Sequence, residues 1–445
     1  MRLPWLRSRP GFAHGVRVPA HKEQTLDAPI RQFPFAPRLF VPLVQHAGNP
    51  AIAVVEAGEE VVRGQLLGEA DGDVSVPVHA PASGRVAACT LVRTAAGARV
   101  PGIVLEPWPG STQEVLEGTP CPHDADPGTI LAAVRDAGIV GLGGAAFPTH
   151  VKLRTAAEAG VDTLILNGVE CEPRLTSDYR VMLEQTGDLL TGVRYLTRLL
   201  GGPRVVLAVE THYHAAARVL RAAAVEAGVA LEVVELPVKY PQGAEKVLIR
   251  TLLGREVPSG GLPSDVDASC VNVATAAEIG RLLPHGRGIQ ERIVTLAGSA
   301  LARPGNYRMA IGTPLRFALE QAGAGADLAR VFLGGPMMGQ AVADLDAPVT
   351  KGMGGIVAFT AAEATRPVEY PCIHCGACVD ACPMFLNPFE LGRHARAGEY
   401  AAMAERYHLA DCFECGACSY VCPSHIPLVQ EFRAARAALR REAAA

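Results

Sequence analysis

The chain has 445 residues, of which 49% are hydrophobic and 19% charged, with a formal net charge of −4. This composition excludes a disordered chain, and the length exceeds the roughly 250–300 residues one core usually holds, so several domains are expected. The near-neutral charge gives no basis for nucleic-acid binding, and no run reaches the roughly 18–20 apolar residues needed to span a bilayer.

Residues 1–37 form an N-terminal segment. Its start, Met1 to Gly15, carries charge but no apolar stretch of the kind a secretory signal needs. A cytoplasmic protein is therefore expected, free to dock on a membrane complex. Residues 38–108 alternate apolar and polar positions, punctuated by Gly58, Gly64, Gly68, Gly72 and Gly84, which predicts short β-strands. The runs Val61–Glu69 and Val76–Val86 resemble the barrel-sandwich fold of lipoyl and biotinyl carriers. Such carriers present a modified lysine on a hairpin tip. The corresponding tip, Asp71 to Ser75, has none, so a structural role is expected.

From residue 125 to 290 the pattern turns to α/β. Helices are predicted over Ile130–Ala137, Asp178–Leu200, Ala215–Ala227 and Gly243–Leu253. Strands are predicted over Thr163–Asn167, Val205–Val209 and Leu231–Leu236. This alternation implies a parallel sheet covered by helices. Within it, Gly138 to Lys152 is glycine-rich, with Gly141, Gly143 and Gly144 closely spaced. Such glycines let backbone amides converge on a phosphate, and Lys152 adds a full charge. The loop is neither a Walker A nor a GxGxxG match, and a Gly/Ala-rich turn by itself is more often plain loop. Residues 293–342 return to short strands plus one helix, Pro314–Ala322.

The strongest chemical signal lies in residues 360–435. Eight of the twelve cysteines fall in two runs: Cys372, Cys375, Cys378, Cys382-Pro383, then Cys412, Cys415, Cys418, Cys422-Pro423. Both read C-x2-C-x2-C-x3-C-P, the two-cluster ferredoxin spacing, in which the fourth cysteine of each run ligates the other cluster. Cys372, Cys375, Cys378 and Cys422 are thus assigned to one [4Fe–4S] cluster, and Cys412, Cys415, Cys418 and Cys382 to the other. Zinc knuckles, the competing reading, usually pair CxxC units far apart. The spacer from Phe385 to Asp411 fits one or two helices. Clusters pass single electrons and nicotinamide passes a hydride, so a phosphate-binding domain beside two clusters suggests a flavin.

The Gly141–Lys152 loop is followed by Asn167-Gly-Val-Glu170-Cys-Glu172-Pro173, by Tyr240-Pro-Gln-Gly243-Ala-Glu245-Lys and by Val271-Asn272-Val-Ala-Thr275. In that order these runs resemble the flavin subunit of respiratory complex I and the RnfC (RsxC) family of ion-translocating complexes. His14–Pro19, Arg303-Pro-Gly-Asn306, Gly334–Gly339 and the tandem cysteine runs are similar to RnfC specifically. The resemblance implies a multidomain α/β protein: a barrel-sandwich β domain, a parallel-sheet flavin and nucleotide-binding domain, a β-grasp module and a helical two-cluster ferredoxin-like domain. It implies FMN as cofactor and NADH as substrate, with Gly141, Gly143, Gly144 and Lys152 at the FMN phosphate. Asn167, Glu170 and Asn272 would line the flavin, Phe147 would stack on the adenine, and Glu172, Tyr240 and Glu245 would face the nicotinamide.

Implied partners are the other Rnf membrane subunits and, indirectly, ferredoxin. The place is peripheral, on the cytoplasmic side of the inner membrane. Val169 and Ala244 stand where the complex I pattern has acidic residues. A soluble iron–sulfur flavoprotein dehydrogenase and a flavin-free electron-carrying adaptor are the competing readings. The C-terminal Glu431–Arg441, with Phe432, Ala435, Leu439 and four arginines, is expected to be a solvated terminal helix, an anionic membrane surface being the alternative.

Overall fold

The computed structural model describes residues 11–365 and 367–444. The reading of residues 1–10 as lacking a signal lies outside the described residues. The barrel sandwich pairs a four-stranded sheet (Leu39–Pro42, Arg99–Pro107, Gly84–Arg93, Glu60–Val61) with a three-stranded one (Ile52–Ala53, Leu66–Glu69, Val78–His79). Period-2 patterning drives Leu39, Val41, Leu67, Val86, Ile103 and Leu105 inward until they are fully buried. The lysine-free tip is pinned: Asp73 forms an ion pair with Arg154 at 3.0 Å, and its carbonyl accepts from His150 Nε2 at 3.1 Å. A carrier tip must swing, and this one is tied to the next domain.

That next domain is a parallel four-stranded sheet. Its strands are β1 (Thr163–Gly168), β2 (Arg204–Glu210), β3 (Glu232–Leu236) and β4 (Ala268–Asn272), in spatial order β3-β2-β1-β4. The chain winds outward from β1 to β3, then crosses back to lay β4 on the other side of β1. The topological switch therefore falls between β1 and β4. The helices are α1 (Pro127–Asp136), α2 (Thr149–Glu158), α3 (Ser177–Glu184), α4 (Thr186–Leu199), α5 (His214–Glu226), α6 (Glu245–Leu253) and α7 (Val273–Leu282). The single helix predicted over Asp178–Leu200 is two. Gln185 leaves helical geometry (φ −118°, ψ 32°), and Thr186 Oγ1 donates to the Met182 carbonyl at 2.7 Å. A threonine hydroxyl competing for a backbone acceptor favours such a break.

The β-grasp sheet has six strands, and it recruits Ile30–Gln32 and Gly355–Thr360 from outside residues 293–342. Ile30–Gln32 pairs in parallel with Gly305–Ala310. Gly355–Thr360 is central, between Glu291–Ala297 and Leu328–Leu333. Distant segments are hard to assign to a sheet from periodicity, because pairing is a long-range event.

In the cluster domain the two cysteine loops fold alike. Gly376 and Gly416 both take positive φ, 77° and 79°, at the start of a short helix. The amides of His374 and Glu414 each donate to the first sulfur of their run at 3.4 Å. The spacer forms two helices, Pro388–Ala397 and Tyr400–Glu405. The terminal helix, Leu428–Ala444, corrects the expectation of a solvated or membrane-lying segment. Phe432 and Ala435 are 1% and 0% exposed in the domain core with Leu391, Met403 and Leu409. Burying an apolar stripe against a neighbour wins over exposing it to water.

Candidate functional site

In open parallel sheets a ligand crevice forms beyond the carboxyl ends of strands at the switch point. Here Asn167, the penultimate residue of β1, and Asn272, the last of β4, are register partners. Asn167 Nδ2 donates to the Gly243 carbonyl at 2.8 Å, and its Oδ1 accepts from Val169 N. Asn272 Oδ1 caps α7 by accepting from Ala274 N at 2.9 Å, while its Nδ2 donates to Asp178 Oδ2 at 2.7 Å. Both amides are thus held in fixed orientations at the crevice floor.

The glycine-rich loop arches over this floor. A side chain at Gly143 would meet Asn272 Cβ at 3.3 Å, so glycine lets the loop sit on the asparagine without pushing it aside. Gly144, at φ +116°, opens onto empty space. Leu142 N donates to Thr275 Oγ1 at 2.9 Å, and Gly141 N donates to the Phe147 carbonyl at 2.8 Å. The Phe147 ring is 39% exposed. Lys152, on α2, forms an ion pair with Glu245 at the start of α6. Burial lowers the Lys152 pKa, but Glu245 outweighs it and the net shift is upward. The lysine is charged and ready for an anion.

Three further expected positions are engaged with the protein's own backbone and side chains. Glu170 is buried, and its carboxylate accepts from Asp178 N at 3.0 Å, Tyr179 N at 3.3 Å and Tyr213 Oη at 2.9 Å. It secures the start of α3. Glu172 Oε1 accepts from Met337 N and Met338 N, both at 2.8 Å. Tyr240 is 2% exposed, and its phenol donates to the Cys415 carbonyl at 2.6 Å. The structure places Glu172 and Tyr240 at the seam between the flavin domain, the Gly334–Gly339 turn and the second cysteine loop. Residues not singled out from sequence join this region. Lys22 is buried, with Nζ donating to the carbonyls of Glu170 and Leu175 at 2.6 Å. Asp178, half-buried, has its pKa pushed up by burial first and then by Glu170. Glu210, at the end of β2, is 1% exposed, and burial raises its carboxyl to about 7. A lone charged residue in an otherwise featureless stretch gave no periodic signal to find them.

The cysteines separate into two quartets. Cys382 lies with Cys412, Cys415 and Cys418 around one enclosed space, lined also by Leu386, Leu391 and Phe432. Electrostatic contact links Cys378 to Cys375 and Cys422, and Cys412 to Cys382. Each fourth cysteine has crossed to the other run, as the spacing demands. Burial raises the Cys415 thiol to about 12 and pushes Cys418 up further. Such thiols ionise only when a metal supplies positive charge, which is what iron would do here. The ring of soft sulfur donors, with amides aimed at Cys372 and Cys412, suits a cubane. The first quartet is the outer one: Cys372 and Cys375 are exposed. The second is the inner one, since Ala417 packs with Tyr240, Val16, Ala381 and, more loosely, Cys171 and Cys415.

The N-terminal segment ties the inner quartet down. Gly15 N donates to Ala381 O at 3.1 Å, and Val16 and Tyr240 exchange backbone hydrogen bonds at 2.8 and 2.9 Å. Tyr240→Phe removes a hydrogen bond worth about 1 kcal/mol. Flavin bleaching by NADH is expected to persist in this variant, with slower reduction of the clusters behind it. Loss of bleaching with the clusters intact would instead assign Tyr240 to the nicotinamide.

A crevice with fixed amides and a charged lysine, joined to two thiol quartets, defines an iron–sulfur flavoprotein. Known families match along the chain: the RnfC barrel sandwich hybrid domain over residues 10–108, the Nuo51 FMN-binding domain over 134–281, the SLBB domain over 293–341 and a 4Fe-4S dicluster domain over 370–426. The chain is 39% identical to the C component of the proton-translocating ferredoxin:NAD(+) oxidoreductase complex of Clostridium ljungdahlii, covering 90% of this chain and 88% of that one. It is 42% identical to the C component of the ion-translocating oxidoreductase complex of Pseudomonas aeruginosa, over 97% of this chain and 56% of the longer relative. The sodium-translocating counterpart of Acetobacterium woodii is 37% identical, over 86% and 87%. The chain belongs to the RnfC family, the C components of ion-translocating oxidoreductase complexes. A solved NAD+-reducing [NiFe]-hydrogenase shares the fold, with a TM-score of 0.53 and 22% identity, covering 74% of this chain and 68% of that one.

Proposed function

We propose that the chain is the peripheral NADH-side subunit of a membrane-bound Rnf-type complex, passing electrons between NADH and ferredoxin in support of ion translocation. The observation that carries this reading is the direct contact between the crevice domain and the inner cysteine loop, made through Tyr240 and the Cys415 carbonyl. FMN, when bound, accepts electrons as a hydride pair and releases them singly. Gly141, Gly143, Gly144 and Lys152 would hold its phosphate, and Asn167 and Asn272 its ring. Phe147, with its exposed ring, would stack on the adenine of NADH, and Glu245 would lie close by.

The quartet Cys382, Cys412, Cys415 and Cys418 faces the flavin domain, and the quartet Cys372, Cys375, Cys378 and Cys422 faces outward. The outer quartet is bordered by exposed Val368, Tyr370 and Ile373, a surface suited to the next member of the complex. Among the described residues no helix is long and apolar enough to cross a membrane. The chain's place is peripheral, held through the other subunits on the cytoplasmic side, a reading supported by its likeness to C components of ion-translocating oxidoreductase complexes. The match to an FMN-binding family disfavours a flavin-free adaptor. The test is reconstitution of the full chain with FMN and iron–sulfur, followed by anaerobic addition of NADH. Bleaching of the flavin with reduction of both clusters is expected. Intact FMN that NADH fails to bleach would overturn the reading.

A further inference from the structure

Lys351 is completely buried, at 0% exposure. Its ammonium nitrogen donates to two backbone carbonyls, Pro77 at 2.6 Å and Gly138 at 2.8 Å. Pro77 belongs to the barrel sandwich and Gly138 is the residue at which the glycine-rich loop leaves α1, while Lys351 itself comes from the β-grasp region. One side chain therefore joins three domains at the root of the loop. The segment around it continues onto the loop itself. Arg292, 2% exposed, donates through Nε to the Lys351 carbonyl at 3.0 Å and through Nη2 to the Leu142 carbonyl at 2.7 Å. A side chain at Gly352 would meet Ala146 Cβ at 2.8 Å, so only glycine lets the segment lie this close. Ala47 N donates to the Ala146 carbonyl at 3.2 Å, completing the clamp from the barrel side.

The two carbonyls satisfy a neutral amine as well as a charged one. What the charged form lacks is a counter-ion: burial alone drives its pKa down, to about 7. The titratable groups facing it, His46 and His79, supply no counter-charge, because burial first and Lys351 second hold both imidazoles neutral. Arg292, on the strand Glu291–Ala297, brings a positive charge against the Lys351 backbone and no negative one. The Cα atoms of Gly138 and Gly141 lie within about 11 Å by chain length, and the Gly138 carbonyl is 2.8 Å from the amine, so a phosphate at Gly141 lies within roughly 20 Å of it. At that range, in a water-poor interior, a dianion attracts an ammonium by several times thermal energy.

We propose that Lys351 is the positioning residue of the phosphate loop, and that phosphate binding there draws a proton onto its amine. The role rests on the flavin reading above but assigns a residue outside the crevice to cofactor capture. The test is calorimetric titration of the full cluster-loaded chain, stripped of flavin, with FMN and with riboflavin. It is run at about pH 8, where FMN is already a dianion because its second phosphate pKa is about 6, in buffers of different ionisation enthalpy. Wild-type protein should take up close to one proton with FMN and none with riboflavin. Lys351→Met should take up none with FMN and bind it about tenfold more weakly, by the linkage of protonation to binding.

The wild-type protein supplies a second readout that does not depend on the variant folding. FMN affinity should fall by up to about tenfold per pH unit above pH 7, while riboflavin affinity stays flat. Equal proton uptake with FMN and riboflavin, or by wild type and variant, would overturn the role of Lys351 while leaving the flavin site standing. Failure of the wild type to bind FMN would overturn the flavin reading and this role together.

Discussion

Cys418→Ala is expected to halve the iron, from about eight to about four per chain, and to disconnect the flavin from everything beyond it. Cys418 is 9% exposed within the inner quartet, and the space it lines with Cys382, Cys412 and Cys415 is closed by Leu391 and Phe432. The Glu414 carboxylate also lines that space but is held in ion pairs with Arg433 at 2.9 Å and Arg436 at 3.3 Å, so loss of the whole cluster is expected. NADH should still bleach the flavin, because the crevice lies on the far side of Tyr240. Electrons should no longer reach the outer quartet. Cys375→Ala in the outer, exposed quartet makes the contrast: the same iron loss, but an inner cluster that NADH still reduces. Rapid-freeze electron paramagnetic resonance distinguishes the two. An outer cluster that is reduced at the normal rate in Cys418→Ala would reject the order inner before outer.

The second large effect concerns Lys152. Lys152→Met is expected to weaken FMN binding by about 10–100-fold, the value of a charge-assisted hydrogen bond of about 1.5–3 kcal/mol. Lys152 is paired with Glu245, so a phosphate must compete with a carboxylate for it. Glu245→Gln removes the competitor, and the expected shift in FMN affinity is therefore in the opposite direction, toward tighter binding. Fluorescence quenching of FMN measures both. Weaker binding in Glu245→Gln would mean that the carboxylate orders Lys152 for the phosphate rather than competing with it. The NADH step offers a separate check, since a nicotinamide role for Glu245 predicts a raised KM in the same variant.

The two cysteine runs were readable to the residue. Their spacing is local, and the quartet exchange through Cys382 and Cys422 follows from how far a thiolate on one loop can reach. The strands Thr163–Gly168 and Arg204–Glu210 and the helix His214–Glu226 lie within two residues of their predicted ends, because buried parallel strands and amphipathic helices carry strong periodic signals. The break at Gln185 was not readable, since a threonine hydroxyl bonding back to Met182 leaves the apolar pattern intact. The terminal helix departs from its expectation for a different reason: its stripe of Phe432 and Ala435 is narrow, and only the packed domain shows that it is enough.

Spacing within single segments was sufficient for the α/β alternation and the eight candidate sulfur ligands, while the family came from the resemblance of several motif runs taken in chain order. Which quartet is inner and which outer came from the packed domains alone, and the same packing put Tyr240 and Glu172 in contact with the Cys415 carbonyl and the Met337 and Met338 amides. It also brought Lys22, Asp178, Glu210, Arg292 and Lys351 to the site from segments far apart in the chain. The physical reason is that burial and charge depend on what the rest of the chain places nearby. An isolated lysine such as Lys351 looks like any other until three domains close around it and leave its charge without a partner.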